Sequence, residues 1–217
     1  MSDWPELRGA APAVAPRLLG AIVRNGPVAV RLTEVEAYAG TTDPGSHAFG
    51  GPTPRTKVMF GPPGHLYCYL SYGMHVCANV VVGEEGSAAA VLLRAGEVVD
   101  GLDVARQRSP RASAERDLAR GPGRLGRALG LTLGDDGADL ATGPITLTLA
   151  AGSPAACEVA NGPRTGLRRA PDRPWRYWLA GDRFVSPYRR HARAEPEPDP
   201  RTDRVQGPDL ASGTDVV

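Results

Sequence analysis

Glu36 is a carboxylate that stands among flat polar side chains, in a chain of which only 6% is aromatic. Tyr38 follows it by two positions and His47 by eleven, and a second segment supplies Tyr69 and Asn79. A carboxylate beside a pocket can remove a proton from water as a general base. Aromatic faces stack on nucleobases and contribute about 1–3 kcal/mol per base. These residue types together favour a site that holds a planar base next to a general base.

The strand that delivers Glu36 is predicted over residues 27–38. Two carboxylates enter one face near the end of this strand, where a pocket mouth is expected. Arg94 ends a second apolar strand and is a candidate partner that keeps Glu36 ionised and helps to hold a water molecule. Taken alone, each residue is equally typical of a strand-end ion pair. Strict alternation places these residues on the same face: Val28, Val30, Leu32, Glu34, Glu36 and Tyr38.

A bulky hairpin tip and a polar strand residue complete the set of candidates. Tyr72, Gly73 and Met74 are predicted to form the tip between two strands. A large side chain exposed there could wedge into a base stack. Asn79 offers both a donor and an acceptor to the edge of a base. The alternatives are an ordinary hairpin turn and an asparagine that is bonded within the sheet.

The rest of the chain predicts the elements around this site. Because no βαβ alternation is visible, the pattern favours an α+β fold, a single mixed domain with a curved, largely antiparallel β-sheet flanked by helices. Residues 1–16 are predicted to be a flexible lead-in, 17–190 the domain, and 191–217 a disordered tail. Further expectations are a short helix or helix-to-strand transition at 16–23, a long loop at 40–64, helices at 98–108 and 123–131, and strands at 65–82, 88–94, 145–149 and 175–179.

Composition and charge limit the class of protein. At 217 residues, with 41% hydrophobic and 23% charged residues, the chain is typical of one globular domain. A net charge of +1 gives no evidence that the whole surface binds nucleic acid, although every basic residue except Lys57 is an arginine. No membrane span or signal peptide is visible, so a cytoplasmic, prokaryote-like protein is expected. The cysteines and histidines lack ligand spacing, so no metal and no cofactor are expected.

The two segments resemble the core motifs of the alkyladenine (3-methyladenine) DNA glycosylase family, over about residues 17–190. The first family motif carries a Glu, a Tyr two residues later and a His eleven after the Glu, as do Glu36, Tyr38 and His47. The second carries a Tyr, another Tyr three residues on and an Asn seven further on. This chain has Tyr69, Tyr72 and Asn79 at those intervals, and Arg94 follows the Val-Leu-Leu sequence that precedes the family's arginine.

The resemblance implies a reaction and a partner. Glu36 would be the catalytic base, and Arg94 would help to hold the attacking water together with a backbone carbonyl near Leu167. The partner would be double-stranded DNA containing damaged purines of the 3-methyladenine, 7-methylguanine, hypoxanthine and ethenoadenine class, bound by a monomer during base excision repair. Because the only lysine, Lys57, lies outside both motifs, a Schiff base is not expected. We therefore predict monofunctional hydrolysis that leaves an abasic site.

The resemblance also implies which residues hold the base and the duplex. Tyr38 and His47 would cover one face of an extruded purine and Tyr69 the other, with Asn79 excluding normal guanine. The helix that begins near Gly121 either binds a phosphate with its free amides or is a simple helix start. The residues assigned to the duplex are Tyr72 and Met74 as intercalating side chains and Arg55, Gly123 and Arg124 as backbone contacts.

Two other functions are compatible with parts of this pattern. A glycoside or nucleoside hydrolase could use Glu34 and Glu36, which strand geometry places about 7 Å apart, within the range of inverting enzymes. A non-catalytic single-strand binder could use Tyr67, Tyr69 and Tyr72 as a stacking platform. Neither alternative accounts for the whole set of residues that matches the two family motifs.

Overall fold

The computed structural model describes residues 4–152 and 158–195, which form an α+β domain with one eight-stranded sheet. The helices are α1 (Ala11–Val14), α2 (Leu102–Arg108) and α3 (Pro122–Leu129). The strands are β1 (Ile22–Asn25), β2 (Val28–Tyr38), β3 (Leu66–Ser71), β4 (His75–Val81), β5 (Ala90–Asp100), β6 (Ile145–Thr148), β7 (Val159–Gly162) and β8 (Arg176–Leu179). The predicted fold class, with a largely antiparallel sheet, is confirmed.

β2 is the central strand and positions the candidate site inside the molecule. The sheet order is β3-β4-β5-β2-β1-β6, and β8 joins β2 to β7. β5 pairs along one edge of β2, whereas β1 and β8 share the other edge. A large apolar core packs on one face of the sheet. A smaller apolar cluster joins Met59 of the loop 40–64 to Tyr67 of β3. The site residues of β2 and β3 therefore lie under that loop.

An irregularity in β2 changes which residues face the large core. Val30 and Leu32 belong to this core, but so do Val35 and Ala37, so the core-facing parity changes between them. The pairing of β2 with β5 is irregular at the same place, where Thr33 has no partner in the register. A bulge of this kind re-aims the side chains that follow it. The predicted strict alternation over residues 27–38 is therefore wrong, and the glutamates lie on the face opposite Leu32.

Two further expectations need correction. The helix predicted at 98–108 begins only at Leu102, because Val98 still pairs with Val30 and the chain turns at Gly101, whose φ is 70°. The lead-in predicted over residues 1–16 packs against the domain where it is described. Leu7 is fully buried in the core together with α1, because this segment covers an apolar face of the sheet.

The predicted hairpins are present, and the tail is described only in part. β3 pairs with β4 and β4 with β5, as expected for a turn at Gly83–Gly86. Of the predicted tail 191–217, the structure describes residues 191–195, and residues 196–217 lie outside the described part. Among the described residues, no helix is long and apolar enough to cross a membrane.

Candidate active site

Glu36 is fully buried near the end of β2, and three neighbours hold its carboxylate. The Tyr38 hydroxyl donates to Oε2 at 2.9 Å, and the Thr165 backbone N–H donates to Oε1 at 2.6 Å. A guanidinium nitrogen of Arg94 lies 3.3 Å from Oε1. Burial raises the pKa of Tyr38, so its hydroxyl stays protonated and is the donor. Because each carboxylate oxygen can accept about two hydrogen bonds, Oε2 has capacity for a water molecule.

Glu34 is equally buried, but arginines and a backbone amide bind it. Its Oε1 accepts from Arg94 Nε at 2.9 Å and from Arg176 at 3.1 Å, and its Oε2 accepts from the Ser186 N–H at 2.6 Å. Arg94 therefore bridges Glu34 and Glu36. Burial lowers the pKa of Arg94, but the charges of both glutamates outweigh burial and leave the pKa above its ordinary value. The bridging guanidinium stays positively charged.

A small cavity of about 70 Å³, open to solvent, lies beside this carboxylate network. All five residues that the sequence predicts as base-binding line it, namely Tyr38, His47, Tyr69, Asn79 and Leu167. Tyr67, which the sequence offered only as part of a stacking platform, also lines the cavity. The lining residues that the sequence did not predict are Gly45, Ser46 and Met59.

His47 and Tyr69, which are predicted to lie on opposite faces of a bound base, contact each other in this structure. The His47 and Tyr69 centroids are 4.6 Å apart with planes at 89°, so the imidazole meets Tyr69 edge-on. Tyr67 and Tyr69 stack at 5.9 Å with planes at 27°. A base between two parallel rings needs about 7 Å between them, two contact distances of about 3.5 Å. There is consequently no room for a base between His47 and Tyr69 in the observed conformation.

Arg55 lies at this pocket. Its guanidinium carbon is 5.7 Å from the centroid of Tyr69. Burial of the His47 ring and the charge of Arg55 lower the pKa of His47 to about 4. The imidazole is therefore neutral near pH 7, and its Nδ1 lies 3.1 Å from the Tyr67 hydroxyl. The phosphate contact predicted for Arg55 stays a prediction, since the structure places this cation over a ring of the base pocket.

For Asn79 the sequence left open a contact with the edge of a base and a hydrogen bond within the sheet. It is buried, and its Nδ2 donates to the Tyr67 carbonyl at 3.1 Å, as a sheet-bonded asparagine does. It also lines the cavity. The bond to the backbone fixes the orientation of an amide that lies at the pocket wall.

The hairpin tip between β3 and β4 projects two apolar side chains into solvent. Tyr72 is 83% exposed and Met74 is 72% exposed. Tyr72 and Gly73 both have positive φ, and the Met74 N–H donates to the Ser71 carbonyl at 3.1 Å. This geometry is a tight hairpin turn of the mirror-image type. Tyr72 lines a second, wider cleft that continues from the base pocket and also contains Arg94 and Pro122.

The helix α3 begins beside this tip. A Cβ on Gly123 would lie 2.8 Å from the Cβ of His75, so only glycine allows the helix to approach β4 so closely. The guanidinium of Arg124 donates to the Asp117 carbonyl at 3.3 Å. The start of α3 therefore lies near the hairpin tip. A phosphate contact by Gly123 and Arg124 requires this position, but the contact itself remains a prediction.

Comparison with known proteins assigns the family. The family model described as Methylpurine-DNA glycosylase (MPG) matches residues 6–183. The chain belongs to the methylpurine-DNA glycosylase family. Relatives include a protein of Nocardia farcinica, 57% identical over 84% of this chain and 89% of its own length. Another, from Frankia casuarinae, is 58% identical over 80% and 86%, and one from Leifsonia xyli subsp. xyli is 56% identical over 82% and 88%. Each is provisionally named a 3-methyladenine DNA glycosylase.

Membership of the methylpurine-DNA glycosylase family confirms the resemblance that the two motifs carry. It also confirms the enzyme class, a hydrolase of N-glycosyl bonds that acts in DNA repair. DNA is accordingly the partner. Residues 6–183 include most of the segment that the sequence predicts as a lead-in, which agrees with the burial of Leu7.

A buried ion pair supports the glycosylase pocket and was not predicted. Arg164 and Asp43 are both fully buried and bond through two hydrogen bonds of 2.5 and 2.7 Å. The guanidinium also lies 4.8 Å from the Tyr38 centroid and 5.2 Å from that of Trp175. No local sequence pattern predicts an ion pair between Asp43 and Arg164, which are far apart along the chain. Arg164 precedes Thr165, whose N–H contacts Glu36, but this contact is visible only in the folded chain.

The two alternative functions lose their support in this glycosylase fold. Glu34 and Glu36 both lie behind the residues that line the cavity and the cleft, but only Glu36 bonds to a wall of the base cavity, Tyr38. Glu34 bonds to two arginines and the Ser186 amide, so the structure gives no support to Glu34 as a second catalytic carboxylate. Tyr67 and Tyr69 stack inside the pocket, whereas Tyr72 projects from the tip, so the three do not form one platform. Among residues 4–152 and 158–195, no group of three His, Cys, Asp or Glu side chains could hold a metal ion.

Proposed function

We propose that this glycosylase extrudes damaged purines from duplex DNA and removes them by hydrolysis, leaving an intact abasic site. The observation that carries the proposal is the fixed Glu36 carboxylate next to a pocket walled by Tyr38 and Tyr69. The substrates are the alkylated or deaminated purines 3-methyladenine, 7-methylguanine, hypoxanthine and ethenoadenine. The enzyme acts as a monomer on cytoplasmic, nucleoid DNA.

In the chemical step, Glu36 removes a proton from water while the water oxygen forms a bond to C1′. The N-glycosyl bond breaks, and its electrons leave with the base. The three groups that contact Glu36, namely Tyr38, Arg94 and Thr165, all line the cleft that adjoins the base pocket. Glu36 itself is fully buried behind these groups, and we expect a water molecule from the cleft to reach its carboxylate between them. The backbone carbonyl near Leu167 is the further group assigned to hold this water.

Binding of the base involves the aromatic walls and the hairpin tip. Tyr72 and Met74 enter the stack and occupy the space of the extruded nucleotide. The base then stacks between Tyr38 and Tyr69, which requires the His47 ring to leave its edge-on contact and join Tyr38 on the opposite face. Asn79, whose amide is held by the backbone, discriminates against the amino group of normal guanine. A damaged base that pairs poorly costs less to extrude.

The decisive experiment compares the wild type with Glu36→Gln. Release of free base is measured from duplexes that contain a single hypoxanthine and from methylated DNA. The wild type is expected to release the base from both, and Glu36→Gln to release none while it still binds abasic-site DNA. Undiminished release by Glu36→Gln would overturn the assigned role. Release from neither substrate by the wild type would overturn the proposed function.

The absence of a Schiff base is tested separately. Borohydride is added during turnover, and covalent protein–DNA adducts are sought on a denaturing gel. We expect none, because hydrolysis by water forms no imine that borohydride could reduce. A trapped adduct that Lys57→Ala abolishes would contradict the monofunctional mechanism.

A further inference from the structure

We propose that Arg189, Arg190 and His191 bind backbone phosphates next to the extruded nucleotide, so that this segment after β8 forms one wall of the DNA cleft. The inference rests on the proposed function, because it assumes that a nucleotide passes from the hairpin tip to the base pocket. It assigns a DNA contact to a part of the chain for which the motifs predict none.

The cleft connects this segment with the residues that handle the nucleotide. Its lining includes Tyr72 at the hairpin tip, Arg94 beside the catalytic carboxylate and four consecutive residues, Arg189–Ala192. A nucleotide that leaves the stack at Tyr72 and places its base against Tyr69 must cross this cleft. The phosphates on either side of that nucleotide are thereby brought to the cleft rim.

The segment is anchored to the loop that carries part of the catalytic site. The Gly166 N–H donates to the Arg189 carbonyl at 2.9 Å. Further along, the Glu195 N–H donates to the Arg168 carbonyl at 2.7 Å, and the two side chains form an ion pair of 2.6 Å. Because both ends are held, the cations stand at the cleft before DNA arrives, which lowers the entropic cost of the contact.

The side chains have the chemistry that phosphate requires. In the described part of the chain, no carboxylate forms an ion pair with Arg189. Arg190 bonds to Asp172 at 2.5 and 3.2 Å, but both side chains are about half exposed, at 47% each. Arginine can exchange such an exposed pair for a bidentate contact with phosphate. Nδ1 of His191 accepts from the Arg193 N–H at 3.0 Å, which leaves Nε2 as a donor.

The test measures how binding depends on salt. The dissociation constant for a duplex with an abasic-site analogue is determined for the wild type and for Arg189→Ala at several salt concentrations. Loss of one phosphate contact should make the slope of log Kd against log[salt] less positive by about 0.9.

Arg193→Ala is the matched control, since Arg193 is an exposed arginine of the same segment that does not line the cleft. It should lose the same formal charge but keep the wild-type slope. Asp172→Asn should act in the opposite direction, because it releases Arg190 and should tighten binding at low salt. Thermal unfolding of all three variants should match the wild type, since the substituted side chains are exposed.

Equal slopes for the wild type, Arg189→Ala and Arg193→Ala would overturn the inference. Equal reductions in Arg189→Ala and Arg193→Ala would also overturn it, because they would indicate general charge attraction without a defined contact. Failure of the proposed function appears differently, as no base release by the wild type under any salt condition.

Discussion

At the residue scale, the Tyr38 side chain has two separable contacts. Its hydroxyl donates to Glu36 Oε2 at 2.9 Å, and its ring is a wall of the base pocket. A hydrogen bond to a charged group contributes about 1.5–3 kcal/mol, and stacking about 1–3 kcal/mol per base. Tyr38→Phe should keep the affinity for lesion-containing DNA and lower the rate at saturating DNA by roughly tenfold or more.

Tyr38→Leu is the matched variant, because it removes the ring together with the hydroxyl. It should weaken binding of the extruded base in addition to slowing the reaction. Single-turnover rates at several enzyme concentrations separate the two effects. A Tyr38→Phe rate equal to that of the wild type would mean that the hydroxyl does not orient Glu36.

The charge of His47 gives a prediction for pH. Burial and Arg55 lower its pKa from an ordinary 6.5 to about 4. Arg55→Gln removes one of these two causes, so the pKa of His47 should rise toward its ordinary value. The measurement is an NMR titration of the imidazole protons, with His47→Gln used to assign the signal. An unchanged titration in Arg55→Gln would place the charge of Arg55 too far from the ring to matter.

The same pKa has a consequence for folding. Between pH 6.5 and 4 the unfolded chain binds a proton at His47 that the folded chain does not. Stability from this residue is therefore present above pH 6.5 and is lost as the pH falls toward 4. The contribution is small because the ring is partly in contact with solvent, and it should be missing from the pH dependence of His47→Gln.

At the element scale, the spacing of the motif residues predicted which side chains meet at the pocket, whereas side-chain alternation did not predict which residues of β2 share a face. The intervals between Glu36, Tyr38 and His47 identify the pocket because a motif records which residues meet, whatever the backbone does between them. The face of β2 could not be read from alternation, since a bulge near Thr33 reverses it. Bulges depend on pairing with another strand, here β5, and that information is not local. For the same reason, Thr165 was not predicted to contact Glu36.

The hairpin tip stores backbone strain in a residue that the proposed function uses. Tyr72 has φ 51°, a left-handed conformation that costs an ordinary side chain about 1–2 kcal/mol and that asparagine tolerates better. Tyr72→Asn should therefore raise the free energy of unfolding by on the order of 1 kcal/mol. It should also weaken binding to lesion-containing duplex, because the wedge is lost. Urea unfolding and DNA titrations measure the two effects.

Met74→Asn is the control for the tip, because Met74 belongs to the same turn and is 72% exposed but has no positive φ. It should leave the stability unchanged. A Tyr72→Asn protein that is no more stable than Met74→Asn would show that the turn carries no relievable strain. Strain that persists at an exposed tyrosine is expected where function selects the side chain.

At the scale of the whole molecule, the Asp43–Arg164 pair joins parts of the chain that are distant in sequence. Arg164 donates to the carbonyls of Ala37 and Ala170 as well as to Asp43, and Asp43 accepts from the Gly45 N–H at 3.0 Å. The pair therefore ties the end of β2 to the two loops that line the pocket. No local pattern predicts such a link, because its partners meet only after the sheet has formed.

Removing one partner should be far more harmful than removing both. Arg164→Met leaves the buried Asp43 carboxylate with Arg173, 3.9 Å away, in place of its hydrogen-bonded partner. Removing one partner of a buried pair destabilises proteins by about 3–5 kcal/mol. For a chain of this size, that corresponds to a fall in melting temperature of roughly 6–20 °C. In the double variant Asp43→Leu and Arg164→Met, no buried charge is left unpaired, so the loss should be clearly smaller than the sum of the single losses. Urea unfolding of the four proteins gives the coupling energy.

Arg168→Met serves as the surface control, since Arg168 is 60% exposed and its pair with Glu195 is a solvent-facing one. Its effect should stay within about 0.5 kcal/mol. If the single losses at Asp43 and Arg164 were simply additive, the pair would not act as a unit. Base release distinguishes support of the pocket from support of the fold. The folded double variant should release base slowly even at low temperature, because Tyr38 and the Thr165 amide are no longer held against Glu36.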